Sequence, residues 1–242
     1  MHRRIERFER VDSTMTIAAK LAAEGCASGT VVVADEQTSG MGRQGRVWIS
    51  EKGTGLYASI VLRLPVEAGG LPVVMLALGL ATQEAIAEVT SLAPDLRWPN
   101  DVLLDGRKCA GILAQLEGEA IVAGIGVNVA QTSFPPGLAT PATSLLLAGA
   151  TADREELLTA LAEAVDRICR VLVEDGPPAI LRMFEASSSY ALGRRVRWEH
   201  TGGWMEGVTE GLDESGFLMV RQDDGKRTTI FTGGVRGVDS RT

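Results

Sequence analysis

Four cations in this chain could act on an anionic substrate. Arg43 and Arg46 stand in Gly40-Met41-Gly42-Arg43-Gln44-Gly45-Arg46, Arg97 opens Arg97-Trp98-Pro99-Asn100-Asp101, and Lys108 follows in Arg107-Lys108. A guanidinium offers a fixed fork of N–H donors to carboxylate or phosphate, and an ammonium acts on the same anions as a point charge. Three glycines let the loop backbone approach a ligand closely and take positive φ. The loop also matches G-x-G-x-x-G letter for letter. A dinucleotide-binding turn, however, needs its glycines directly between a strand and a helix, with an acid at the tip of the next strand. Here Asp35 to Ser39 separate the strand end from Gly40, a strand follows the loop, and that strand ends at Leu62-Arg63. The dinucleotide reading therefore fails. The remaining readings are an anion-binding loop and a solvated surface loop.

The run Ile121 to Val129 carries a second signal. Period two puts Gly124, Gly126 and Asn128 on one face and Ala123, Ile125, Val127 and Val129 on the other. Glycines inside a strand mark close approach of a ligand or of another backbone. Gly111 fits the same role one strand away. A face cleared of side chains beside Asn128 predicts either a slot for a flat apolar ligand or a packing contact with the helix at 153–173. Ser13-Thr14-Met15 reads first as a helix N-cap. Pro99-Asn100-Asp101 reads first as a turn.

These residues need elements to hold them. Ser13 to Gly25 predicts a short helix, capped by Ser13 or Asp12, with Ile17, Ala18 and Leu21 on one face. Thr30 to Ala34 predicts a strand, Asp35 to Thr54 a long functional loop, and Gly55 to Leu62 a buried strand. Pro72 opens a helix to about Val89, with Val74, Leu78, Ala81 and Ala85 in one stripe. Strands follow at 96–98, 102–104, 109–116 and 121–129, with a turn at Asp105-Gly106. Ser133 to Ala142 reads as a loop. Asp153 to Val173 predicts a strong helix with a capping box at Asp153 and Glu156, and a shorter helix runs through Phe184. After Ser187-Ser188-Ser189 come short β runs at 195–198, 205–212, 217–221 and 227–231, a small all-β module.

The chain has 242 residues, 45% of them hydrophobic, with 24 basic and 31 acidic side chains and a net charge of −7. That length suits a large domain plus a small one, divided as 1–188 and 189–242. The acidity argues against a polymeric phosphate partner such as DNA. No run of about 20 apolar residues predicts a membrane span, and no apolar stretch follows the charged N-terminus as a secretory signal would need. Three scattered cysteines form no zinc spacing and suggest free thiols in a cytoplasm. Two histidines leave little material for a histidine-based triad.

Taken in order, five blocks resemble a biotin protein ligase. They are Val11-Asp12-Ser13-Thr14, Gln37 to Trp48, Arg97 to Asp101, Arg107 to Leu113, and Gly124-Ile125-Gly126-Val127-Asn128, and Phe231-Thr232-Gly233-Gly234 resembles the end of the family's C-terminal domain. The resemblance implies an α+β fold: a catalytic domain akin to class II aminoacyl-tRNA synthetases and a C-terminal SH3-like barrel. It implies that biotin and MgATP form biotinyl-5′-AMP, and that a lysine of a biotin carboxyl carrier protein then takes the biotin, with no tightly bound prosthetic group. Lys108 and Arg43 are the implied catalytic residues. Ser13, Thr14, Met15, Gln37, Met41, Gly42, Gly111 and Ile112 join them as the implied biotin contacts. Arg46, Trp48, Arg97, Asn100 and Asn128 join Arg43 and Lys108 around the nucleotide, and Asp101 is the candidate for Mg²⁺. Met15, Met41, Gln44 and Arg97 depart from the family's commoner Asn, Arg, Arg and Lys.

Two alternatives compete with the resemblance: a lipoate or octanoate ligase or transferase of a related superfamily, and a binding module without catalysis. A DNA-binding repressor is a third class, but only Met1 to Arg10 precede the first block, too few for a helix-turn-helix. Exposed strand edges offer a route to a homodimer or to carrier docking.

Overall fold

The computed structural model describes residues 3–138 and 140–238. The order of elements is β1 (Ile5–Val11), α1 (Thr14–Ala23), β2 (Val31–Gln37), β3 (Gly55–Leu62), α2 (Leu71–Thr90), β4 (Asp95–Arg97), β5 (Asp101–Leu104), β6 (Arg107–Glu117) and β7 (Ala120–Asn128). Then come α3 (Arg154–Glu174), α4 (Pro177–Ser187), β8 (Leu192–His200), β9 (Gly203–Leu212), β10 (Leu218–Arg221), β11 (Arg227–Ile230) and β12 (Val235–Gly237). The first seven strands form one mixed sheet in the order β1-β2-β3-β7-β6-β5-β4. β1 and β2 are parallel, and the other neighbours are antiparallel.

Alternation along β7 separates the two faces of that sheet. Ala123, Ile125 and Val127 join the main core with α2 and α3. Val122 faces a smaller cluster around Met15, Ala18 and Ala22 of α1. α1 starts where expected because the Ser13 hydroxyl accepts from the Met15 N–H. Its most buried stripe is Thr14, Met15, Ala18 and Ala22, whereas Ile17 and Leu21 pack at its margin. α3 is amphipathic as predicted, and the Asp153 carboxylate caps it by accepting from the Glu155 and Glu156 N–H groups.

α2 corrects the membrane expectation in one respect. It is long and apolar enough to cross a bilayer by length and composition. It packs against the sheet and α3 instead, with Val74, Leu78, Ala81 and Ala85 fully buried.

Two strands were not predicted. β1 is an edge strand carrying Glu6, Arg7, Glu9 and Arg10, with no face apolar enough to show alternation. β12 is only three residues long.

The last five strands form an antiparallel sheet in the order β11-β10-β9-β8-β12. Among the described residues β11 and β12 are not paired with each other, so the expected barrel is present as an open sheet. This sheet shares the main core through Leu212, Leu218, Val220, Ile230 and Val235. The junction is also polar. The Trp98 indole N–H donates to the Gly216 carbonyl at 2.9 Å, and Ser189 binds the Asp95 carboxylate.

Candidate active site

The glycine face predicted on β7 exists, and its two glycines do different work. A Cβ at Gly126 would lie 2.5 Å from the Trp48 indole, and one at Gly124 would lie 2.5 Å from the Met15 sulfur. Gly111, the cross-strand partner of Gly126, would collide with Trp48 and with Lys108. The slot therefore holds a flat ring, supplied by the chain's own loop. The helix at 153–173 packs on the opposite side of the sheet. The indole N–H of Trp48 is buried without a partner, an arrangement that costs about 1–3 kcal/mol.

The loop from Gly40 to Trp48 folds as a strap. The Gly42 N–H donates to the Arg46 carbonyl and the Trp48 N–H to the Gly40 carbonyl. Arg43–Gly45 forms a single 3₁₀ turn, and Gln44 takes φ 58°. That single turn is no helix N-terminus, consistent with the rejected dinucleotide reading. Below the strap lies a cavity of about 450 Å³ lined by every expected biotin and nucleotide residue.

Its charges are arranged from β5 and β6. Val102 pairs with Ala110 and Leu103 with Lys108, and the register shift between them turns Asp101 and Lys108 toward the cavity. Asp101 forms ion pairs with Lys108 through one carboxylate oxygen and with Arg97 through the other. Burial acts to raise the Asp101 pKa, but Lys108 and Arg97 outweigh it and hold the carboxyl below its ordinary value. Arg97 is almost fully buried and also donates to the Thr140 hydroxyl at 2.8 Å. Asp101, expected to orient Mg²⁺, is thus committed to two cations. No cluster of three metal-ligating side chains exists among the described residues. The donor set does not fit a resident metal ion.

Arg43 donates to the Gly233 carbonyl at 2.9 Å and to Asn100 Oδ1 at 3.3 Å. Burial lowers its pKa, with Arg46 adding to the effect and Asp101 opposing it. Asn100 is fixed in turn by donating to the Ile112 carbonyl at 2.8 Å. At the other end, Gln37 Oε1 accepts from the Thr14 N–H and hydroxyl, and Gln37 Nε2 donates to Ser50. Ser13 is engaged as the helix cap. Asn128 Nδ2 donates to the Thr143 carbonyl at 2.9 Å. Lys108 Nζ lies 5.4 Å from the Trp48 ring centroid.

The cavity also takes in residues the sequence reading missed. Tyr57, Gln131 and Thr140 line it, as do Glu199, Trp204 and Arg236 from the second sheet. Only Phe231-Thr232-Gly233-Gly234 hinted that the second sheet reaches the site.

Comparison with known proteins places this mixed sheet and its small β module in a family. Residues 7–131 match the biotin/lipoate A/B protein ligase family and residues 191–240 match the biotin protein ligase C-terminal domain. The chain belongs to the biotin/lipoate A/B protein ligase family. It is 34% identical over 242 residues to the biotin–[acetyl-CoA-carboxylase] ligase of Paracoccus denitrificans, covering 93% of this chain and 99% of that protein. It is 34% identical over 225 residues to the bifunctional ligase/repressor BirA of Bacillus subtilis, covering 89% of this chain and 68% of that protein. The structure superposes on the biotin protein ligase of Aquifex aeolicus in complex with biotin and ATP, with a TM-score of 0.83 and 31% identity, covering 97% and 98% of the two chains.

Proposed function

We propose that this chain is an ATP-dependent biotin protein ligase whose chemistry runs between Lys108 and Arg43. In the first step the biotin carboxylate oxygen bonds to the α-phosphorus of ATP. The bond from that phosphorus to the α,β-bridging oxygen breaks, and pyrophosphate leaves with the electron pair. Two anions must meet, so catalysis rests on positioning and on charge stabilisation. Lys108 Nζ exchanges its contact with Asp101 for one with the carboxylate and the α-phosphate. Arg43 holds the phosphate from the strap side, and Arg97 stays bound to Asp101 as the fixed charge behind it. In the second step the amine of a carrier-protein lysine attacks the acyl carbon, AMP departs, and the amine proton is lost to solvent.

Biotin occupies the space beside Met15, Gln37, Met41, Gly42, Gly111 and Ile112, with Ser13 and Thr14 shaping its end. The nucleotide lies toward Arg46, Trp48, Asn100 and Asn128. Mg²⁺ enters as the counterion of ATP rather than in a cage of side chains. Residues 1–188 carry catalysis and 189–242 close the site. The partner is the carrier domain of a biotin-dependent carboxylase, not DNA, and the three free thiols fit a cytoplasmic location.

The observation that carries this reading is the placement of Lys108 and Trp48 against one glycine-cleared face, with Arg43 lining the same cavity. Incubating the chain with biotin and MgATP should yield a species with the mass of biotinyl-5′-AMP, bound to protein until a carrier domain is added. Its absence under conditions where biotin binds would favour the non-catalytic binding module.

A further inference from the structure

Four of the 24 basic residues in this chain are lysines: Lys20, Lys52, Lys108 and Lys226. Among the described residues Lys108 is the one amine lining the catalytic cavity, and the other cations there, Arg43, Arg46, Arg97 and Arg236, are arginines. A guanidinium stays protonated and has no lone pair free to attack an acyl carbon. A neutral lysine amine does attack. The reaction proposed above sets an anhydride built to acylate a lysine against this residue. Lys108 must carry charge while two anions meet, and must not become an amine once they have joined.

Lys108 is held on several sides. Its N–H donates to the Pro141 carbonyl at 2.8 Å, and its carbonyl accepts from the Thr143 N–H at 2.9 Å. Its side chain crosses Gly111, where a Cβ would lie 2.9 Å from Nζ, and ends between the Trp48 ring and one oxygen of Asp101. A carboxylate and a π face both favour an ammonium over an amine. Asp101 is itself anchored. Its other oxygen is bound by the buried Arg97, which also donates to Thr140. The adjoining Asn100 is tied to Ile112 twice, its carbonyl accepting from the Ile112 N–H at 3.0 Å and its side chain donating to the Ile112 carbonyl at 2.8 Å. Arg97 therefore takes one carboxylate oxygen, and the second is left for Lys108.

We propose that Asp101, anchored by Arg97, is a positioning residue that takes back the Lys108 ammonium once the adenylate has formed and so keeps the enzyme from biotinylating itself. The inference rests on the ligase reading above. During adenylation the biotin carboxylate and the α-phosphate hold Lys108 charged. When the carboxylate oxygen bonds to phosphorus its charge is gone, and the fixed carboxylate of Asp101 replaces it. Without Asp101 the Nζ lone pair would bond to the acyl carbon, the bond from that carbon to the phosphate oxygen would break, AMP would leave with the electron pair, and the amine proton would pass to solvent. The product is an amide at Lys108, which removes the cation that adenylation needs.

The test supplies preformed biotinyl-5′-AMP, without a carrier domain, to the full chain and to Asp101→Asn, and maps biotin on each lysine by peptide mass spectrometry. The native chain should hold the reagent with Lys108 unmodified. Asp101→Asn leaves Lys108 among arginines, a setting that favours the neutral amine, and should raise labelling at Lys108 by at least about tenfold. Labelling at Lys20, Lys52 and Lys226 should match the native chain, and Asp101→Glu should restore part of the protection at Lys108. A residue that only neutralised Arg97 would not move this readout. If circular dichroism shows that Asp101→Asn fails to fold, Asp101→Leu combined with Arg97→Met strands no guanidinium and is read instead, with Lys108 again labelled above native. Lys108 left unmodified in the folded variant, or modified equally in the native chain, would overturn the proposal and leave Asp101 as a partner of Arg97 alone. A native chain that makes no biotinyl-5′-AMP from biotin and MgATP would overturn the ligase reading beneath it, whatever the labelling shows.

Discussion

Lys108 and Asp101 decide the chemistry between them. Lys108→Ala should lower adenylate formation by at least about tenfold, because it removes the cation that lets two anions approach, while circular dichroism and unfolding stay near native. Retained pyrophosphate release in that variant would contradict the role. Asp101 has a larger structural effect. Removing it strands the buried Arg97 guanidinium, and breaking a buried pair costs about 3–5 kcal/mol. Asp101→Ala should therefore lose that much in urea unfolding. Asp101→Leu combined with Arg97→Met should regain most of it, since an apolar pair leaves no uncompensated charge. The glycines are equally specific. Gly126→Ala pushes the indole of Trp48 off the sheet and should weaken nucleotide binding measured by calorimetry. Alanine at Gly45 meets open space and fails only through its φ of +71°.

At the scale of elements, periodicity did most of the work. Gly55 to Leu62 read as a buried strand and is β3 residue for residue, buried along its whole length. Asp153 read as a helix start because a short carboxylate can satisfy the first free N–H groups. The glycine face of β7 was visible for the same reason: period two assigns faces without any tertiary knowledge. What covers that face was not visible, because Trp48 reaches it from a loop that has no period. β1 was missed because its charged residues fall on both faces, and β12 because three residues carry no pattern.

The buried thiols give a test at the element scale. Burial pushes Cys109 of β6 and Cys169 of α3 up to about 12. Raised values favour the protonated thiols in the fold. Their contribution to stability is intact below the unfolded thiol's pKa of about 8.5 and is lost as pH climbs toward the folded value. At about pH 8, a thiol reagent should modify half-buried Cys26 quickly and the other two only on unfolding.

At the scale of the whole molecule, the two sheets act as one body. Their apolar residues form one cluster, and Arg43 bridges them across 190 positions of sequence. Scanning calorimetry should show a single transition, and Trp98→Phe, which removes the bond to Gly216, should lower its midpoint without splitting it. That contact, like the arginines of the second sheet, lay beyond the sequence reading because long-range partners leave no local spacing. The net charge of −7 pointed away from phosphate, yet it averages an acidic exterior with a cationic interior. The central claim is that this interior activates biotin in particular. ATP–pyrophosphate exchange measured in parallel with biotin and with lipoate tests it most directly: exchange that depends on biotin and is absent with lipoate is the expected result, and exchange driven by lipoate, with none from biotin, would contradict it.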